Sequence, residues 1–312
     1  MRLKLAQQQQ IPTETLWAIV ALCGGMLAIS FAPILIRLGE GELGPNATIF
    51  NRFWVATVAF GLWNILLTAR QGPDHTIKRQ PYSMGVLGLL LAVGIALSLA
   101  LILWAWSLTQ TSVANSTLMH YLVPLFVALG GWLIWGSRFD KRFILGMVIA
   151  MAGAGILGVS DLCEANGQLI GDLAALLSAV FFALYTLLVE QLRTQLTSST
   201  IMTWCSGTSS ILLWPIVIFT EDRLFPYSVS GWLSVISLAG ICQVLGLGLY
   251  GYCLNKLSSG FVSLCDLLVP VLSALEAWAI FSENINGATS IGFVVILLGA
   301  YLALSSKSAI KV

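Results

Sequence analysis

The tripeptide Leu-Val-Pro occurs at Leu122-Val123-Pro124 and again at Leu268-Val269-Pro270, with the two prolines 146 residues apart. Slid by that single offset, much of the chain matches itself without a gap. Leu108 falls on Leu254, Ser112 on Ser258, Leu118 on Leu264 and Trp132 on Trp278. Further along, Gly146 falls on Gly292 and Gly153 on Gly299. Half the protein is therefore a copy of the other half, and any fold must be built from one unit used twice. In a helical membrane protein, such a duplication usually belongs to a transporter with its site between the repeats.

The medium follows from composition. Hydrophobic residues make up 58% of the chain and charged residues 9%, where a soluble domain carries about 25% charged residues. Mean hydropathy is +0.90. Apolar runs of about 20 residues recur, each long enough to cross a hydrocarbon core of ~30 Å. The spacing predicts helices over 16–38, 46–69, 82–106, 112–135 and 142–160, then over 169–190, 199–219, 229–253, 259–281 and 288–306. The expected fold is an all-α integral membrane protein of ten transmembrane helices, arranged as two inverted five-helix repeats. Residues 1–15 and 307–312 read as cytoplasmic tails, 16–160 and 169–306 as the repeats, and 161–168 as an external linker. The first apolar run is too long for a cleaved leader and has no small-residue cleavage site after it, so it reads as a retained helix.

Charge sets the expected orientation. With both termini on one side, that side receives 12 of the 15 basic residues, Arg70, Arg138, Lys141, Arg142, Arg193 and Lys256 among them. The opposite side collects Glu40, Glu42, Asp161, Glu164, Asp172, Glu221, Asp222 and Glu283. The positive-inside rule then places both termini in the cytoplasm of a cell carrying this protein in its inner or plasma membrane. An odd number of helices per repeat sends the second repeat through the bilayer upside down.

Catalytic chemistry has no foothold. The six cysteines lack paired spacing and mostly lie within spans, where they pack as small apolar residues. With only His75 and His120 available, a multi-histidine metal site is out of reach. Phosphate-binding Gly-Lys, His-Glu-x-x-His and Gly-x-Ser-x-Gly motifs are all missing from the sequence. The chain therefore reads as a non-enzyme without metal or cofactor and without a nucleic-acid partner. It is expected as a monomer or weak homodimer in the lipid bilayer.

The segment from Trp106 to Ser137, WSLTQTSVANSTLMHYLVPLFVALGGWLIWGS, and its copy from Tyr252 to Glu283, YCLNKLSSGFVSLCDLLVPVLSALEAWAIFSE, resemble the signature of the drug/metabolite transporter superfamily, EamA type. The family pattern is an aromatic-Ala-Leu turn, a run of small residues, a proline in mid-helix, then Gly-Glu and a glycine-rich following helix. Ser137 stands where the family carries Glu, whereas Glu283 is kept. The resemblance covers about positions 16–306. It implies ten helices in inverted repeats and a secondary carrier of small organic metabolites, amino acids or related solutes among them, often moved outward by alternating access. A non-transporting scaffold or receptor and a passive channel are the alternatives on the same fold.

Polar groups at membrane depth are costly and mark candidate sites. His120 falls on Asp266 at the 146-residue offset, and each lies four residues before the shared proline, on the proline's own face. Thr117, His120 and Pro124 thus share a stripe on the fourth span, and Ser263, Asp266, Pro270 and Ser273 share one on the ninth. Proline frees a carbonyl, which a membrane tolerates only where protein or a wet cavity satisfies it. These stripes read as cavity walls, or alternatively as tight helix packing through small residues. His120 and Asp266 each stand roughly 10–12 Å from opposite surfaces at ~1.5 Å per residue, bracketing the midplane. Both side chains titrate, so proton coupling through them is a further expectation. Arg52 and Glu276 share a depth near the external side and read as a structural ion pair, or as an arginine that receives an anionic solute. Trp104 and Trp106 fall on Tyr250 and Tyr252; interface anchoring and gating of the cavity are equal readings. Tyr121, Tyr185, Asn115 and Gln243 are weaker lining candidates.

Overall fold

Within lipid each backbone N–H and C=O must find its partner inside its own segment, so apolar runs of this length fold as helices. The computed structural model describes residues 13–39, 42–70, 82–111, 113–162, 169–282, 287–306 and 308–309. The tail residues 1–12 and 310–312, the linker residues 163–168, His75, Ser112 and Glu283 lie outside them, as does the side chain of Asn115. Ten helical segments result. In the first repeat, α1 joins Thr13–Ser30 to Ala32–Gly39, α2 is Pro45–Arg70 and α3 is Met84–Gln110; α4 joins Val113–His120 to Val123–Trp135, and α5 is Lys141–Leu162. In the second, α6 is Leu169–Leu192, α7 Ser198–Thr220, α8 Val229–Cys253, α9 Ser259–Phe281 and α10 Gly287–Leu304. Eight of these, all but α5 and α10, are long and apolar enough to cross a membrane over their described residues. α5 and α10, 22 and 18 residues long, span about 27–33 Å at the helical rise.

The repeats are inverted and interlocked. α1 runs antiparallel to α8, with Ala18 beside Cys253 at one end and Leu35 beside Ser234 at the other. α3 runs antiparallel to α6 in the same way, with Ala100 beside Ser178 and Thr111 beside Asp172. α6 therefore crosses in the opposite sense to its mate α1. Packing is unchanged when the halves are exchanged: α1 sits on α8 and α9, α6 sits on α3 and α4, while α2 meets α7, α4 meets α9 and α5 meets α10 on the pseudo-twofold axis. Each half lends its first helix to the other half's bundle.

The symmetry extends to single residues. Ser83 and Ser228 cap the mates α3 and α8 by accepting hydrogen bonds from Val86 and Gly231 N–H. Gly136 ends α4 in the left-handed conformation at φ 64°, and its mate Ser282 ends α9 in the same conformation at φ 56°. The face at which α1 begins and α10 ends is called proximal below, and the other distal. At the distal face two carboxylates cap each other's neighbours. Glu42 accepts from the hydroxyl and N–H of Ser228 and the N–H of Tyr227, and Glu221 accepts from Asn46 N–H at 2.9 Å. Those bonds, the Ser228 hydroxyl first, hold the Glu42 carboxyl below the usual carboxylate range. At the proximal face Glu190 accepts from Ser259 N–H, Arg193 donates to the Gly251 carbonyl and Lys256 pairs with Glu14.

α5 and α10 touch backbone to backbone. A Cβ on Gly146 would lie 2.6 Å from the Gly299 carbonyl oxygen, and one on Gly299 would lie 2.5 Å from Ala150 N. Gly146→Val and Gly299→Val should each lower stability by about 1–3 kcal/mol, the usual cost of overpacking a close contact. Gly61→Ala, with open space around its Cβ, should change it by less than about 0.5 kcal/mol. Thermal unfolding in detergent measures both; equal tolerance at the three positions would contradict the α5–α10 contact.

Candidate functional site

α4 and α9 both break at nearly the same repeat position, beside His120 and at Asp266. In α4 a turn at Tyr121–Leu122 precedes the helix that carries Pro124; in α9 one tight turn at Asp266–Leu268 precedes Pro270. The cause is local, since proline offers no N–H to the carbonyl four residues back. Each break leaves a polar side chain at the hinge between two half-helices.

Exposure is graded along both stripes, and in the same direction. On α4, Thr117 and His120 are half-buried, whereas Pro124, Val127 and Gly131 nearer the proximal face are buried. On α9, every residue from Ser259 to Cys265 at the proximal end is buried, whereas Asp266, Pro270, Ser273 and Ala277 are half-buried. The proximal halves of the two helices pack on each other, with Phe139 and Phe143 closing on Gly260. The two helices thus close on each other at the proximal face and are less buried toward the distal one. Ser263 lies in this proximal seal, fully buried and donating to the Gly260 carbonyl at 3.0 Å.

At the α9 hinge the Tyr250 hydroxyl donates to Asp266 Oδ2 at 3.1 Å. Thr186 Oγ1 stands 3.1 Å from the phenol oxygen and 3.0 Å from the Phe182 carbonyl, so its one proton is shared between those two acceptors. Asp266 forms no ion pair among the described residues. The repeat mate repeats the geometry with different chemistry: Trp104 lies against His120, ring centroids 5.7 Å apart. Ser178 Oγ stands 3.3 Å from His120 Nδ1 and donates to the Ala100 carbonyl at 2.8 Å, which leaves its lone pairs for a protonated Nδ1. Positions 104 and 250 thus point inward in both repeats, and positions 106 and 252 outward. Tyr250 is 0% exposed, while Trp106 and Tyr252 are each 44% exposed. Of each aromatic pair, the first touches the polar hinge residue.

α6 connects the two hinges. Phe182 meets His120 edge-on at 5.7 Å and Tyr185 at 5.5 Å, and Tyr185 lies within electrostatic reach of both Asp266 and Arg52. Ser178, Phe182 and Thr186 share one face at four-residue spacing. The 146-residue offset could not reveal them, because it pairs Ser178 and Phe182 with Ala32 and Ile36 of α1. A small-polar and aromatic stripe at helical spacing was the available signal. Tyr121 is buried in the main core beside the hinge.

The two charges expected to pair each take a different neighbour. Arg52 Nε donates to Gln243 Oε1 at 2.8 Å, and Glu276 Oε1 accepts from Ser30 Oγ at 2.6 Å. Gln243 stands on α8 beside α2 and offers a neutral acceptor within reach of the guanidinium, and α1 brings Ser30 to Glu276. No group of three or more His, Cys, Asp or Glu side chains converges as a metal site among the described residues.

Removing the Tyr250 hydroxyl strips Asp266 and Thr186 of a partner together. Tyr250→Phe should destabilise by about 1–3 kcal/mol, as for a buried group left unsatisfied. Tyr252→Phe, on an outward-facing ring, should stay within about 0.5 kcal/mol of the parent. Chemical or thermal unfolding of the purified protein measures the difference, and equal effects would contradict the assignment of inward and outward aromatics.

The EamA-like transporter family matches this chain twice, over residues 16–159 and 169–305. A protein of Archaeoglobus fulgidus described as an uncharacterized transporter is 24% identical, over 88% of this chain and 92% of its own. A protein of Escherichia coli K12 described as a "Probable amino-acid metabolite efflux pump" is 22% identical over 72% and 80%. One of Streptantibioticus cattleyicolor described as a "Probable terminal-alkyne amino-acid exporter" is 21% identical over 91% and 93%. A solved crystal structure with a TM-score of 0.76 and 20% identity covers 92% of this chain and 96% of its own, and so shares the fold. With both repeats matched and the ten helices built, the chain belongs to the EamA-like transporter family and is a multi-pass membrane transporter.

Proposed function

We propose that this protein is a secondary carrier that moves small organic solutes, amino acids or related metabolites, out of the cell by alternating access. The observation that carries the reading is the graded exposure along α4 and α9, which close on each other at one face and are less buried toward the other. A passive channel would need both faces open at once. A carrier needs one face sealed at a time, and the inverted repeats supply two versions of one gate. The two relatives whose descriptions name amino-acid efflux or export favour that solute class and direction.

In this reading the division falls at 16–160 and 169–306, joined by 161–168. The distal face is external, because Arg70, Arg138, Lys141, Arg142, Arg193 and Lys256 lie at the proximal one. Solute taken up at the proximal face is held between Asp266 and Tyr250 on one side and His120 and Trp104 on the other, leaves between the distal halves of α4 and α9, and closure of those halves then accompanies reopening of the proximal seal. Asp266 also serves as the proton carrier, being a titratable carboxyl at membrane depth that touches a phenol hydroxyl and no cation among the described residues.

Asp266→Asn keeps size and hydrogen-bonding ability while removing the titratable charge. The variant should fold and reach the membrane at near-normal level, with solute exchange in proteoliposomes lost or made independent of pH between about 5.5 and 8, the range that brackets ordinary histidine and perturbed carboxyl titration. His120→Gln should impair exchange more mildly. Parent-like, pH-dependent exchange by Asp266→Asn would remove the residue from the mechanism.

A further inference from the structure

Apart from the Ser206 hydroxyl on α7, unfilled hydrogen-bonding capacity outside the hinge cluster gathers, among the described residues, in one place. Arg52 has one hydrogen bond among the described residues, to the neutral Gln243 amide oxygen, which leaves both terminal nitrogens of its fork without a bond there. Gln243 is 0% exposed and its Nε2 is buried without a partner. Glu276 is 9% exposed and its Oε2 is likewise buried without a partner. Ser30, the neighbour of Oε1, has one proton and two acceptors in reach, the Leu27 carbonyl at 2.8 Å and Glu276 at 2.6 Å. Glu276 therefore receives at most one donor from its surroundings. The helix of Arg52 and the helix of Ser30, which reaches Glu276, both pack along the stretch of α8 that holds Gln243.

The backbone is irregular at the same place and nowhere at its repeat mates. α8 widens to a π-helical stretch over Leu238–Leu247, which contains Gln243, while its mate α3 is one continuous α-helix. α1 breaks at Phe31, directly after Ser30, while its mate α6 is continuous. Wide turns inside helices occur frequently at functional sites, and a buried polar group without a partner costs free energy that a ligand can recover. Four elements thus bring two donors and one acceptor, all undersupplied, to one buried place inside the bundle.

We infer that Arg52, Gln243 and Glu276 form a head-group subsite for an α-amino acid zwitterion, in which the guanidinium fork and the Gln243 amide take the carboxylate and Glu276 takes the ammonium. The guanidinium plane matches a carboxylate in two-point geometry, and an ammonium carries three donors to a carboxylate that has at most one. Opposite charges held apart by a neutral amide are complementary to a ligand that carries both signs. A ligand with one sign leaves one buried charge unpaired. This inference rests on the carrier reading above and specifies the chemistry its solute must present.

The test uses the full-length parent protein in proteoliposomes, with exchange of the twenty labelled protein amino acids, adenine and putrescine measured side by side. For each amino acid that exchanges, competition by its decarboxylated amine and its deaminated acid is then compared, for example L-leucine against 3-methylbutylamine and 4-methylpentanoate. Sites built around buried polar groups reject analogues that lack the matching group by large factors, so each analogue should compete at least about tenfold more weakly than the amino acid. Glu276→Gln should narrow the gap between amino acid and deaminated acid, and Arg52→Gln, which removes the positive charge, should narrow that between amino acid and amine. Equal competition by either analogue in the parent protein would overturn the subsite without recourse to a variant. Exchange of adenine or putrescine but of no amino acid would overturn the subsite and leave the carrier standing. Exchange of nothing would overturn both.

Discussion

The structure depends first on the requirement that no backbone hydrogen-bonding group be left unmet in a medium without water. That requirement makes ten apolar segments helical, and it makes each interruption of a helix expensive enough to need a reason. The interruptions are few and concentrated. α4 and α9 break at their prolines beside His120 and Asp266; α1 breaks beside Ser30; α8 widens around Gln243. At each, an irregular backbone coincides with a polar side chain facing into the bundle. Function on this scaffold is placed where helical regularity is given up.

Duplication then distributes the interruptions. The α4 and α9 breaks are repeat mates and lie on the pseudo-twofold axis, where α4 and α9 meet. They suit a gate that must work once from each side. The α1 break and the α8 widening have no counterparts in α6 and α3, and they lie in a single bundle with α9. Divergence there has replaced symmetry with a distinct set of charges. In the proposed cycle one set of irregularities would serve movement and the other recognition, and they meet along the half-buried stripe of α9 from Asp266 to Ala277.

Much of this was legible in the residues. The recurrence of Leu-Val-Pro, the apolar runs and the 146-residue offset led to ten helices in two inverted halves, and to His120 and Asp266 as mates beside their prolines. The meeting of 104 with 120 and of 250 with 266 follows the same offset, but which ring of each aromatic pair turned inward did not, because Trp and Tyr suit an interface and a cavity wall equally well. The contribution of α6 was hidden for a topological reason. Inversion places α6 in the bundle of the first repeat, so Ser178, Phe182 and Thr186 have no mates of like chemistry in α1. The partners of Arg52 and Glu276 were hidden because shared depth says nothing of rotation about the helix axis, and a glutamine and a serine at the right azimuth intercept the charges.

The central claim is that the opening at the distal face and the seal at the proximal face exchange during transport. Spin labels at Thr109 and Ile280, exposed near the distal ends of α3 and α9, report the opening; labels at Arg138 and Asn255, exposed at the proximal ends of α4 and α8, report the seal. Pulsed electron-spin distance measurements on both pairs, in protein shown to exchange a solute, test the claim directly. Addition of that solute should shorten the distal distance and lengthen the proximal one in the same fraction of molecules. A proximal distance that keeps one value while exchange proceeds would contradict alternating access on this structure.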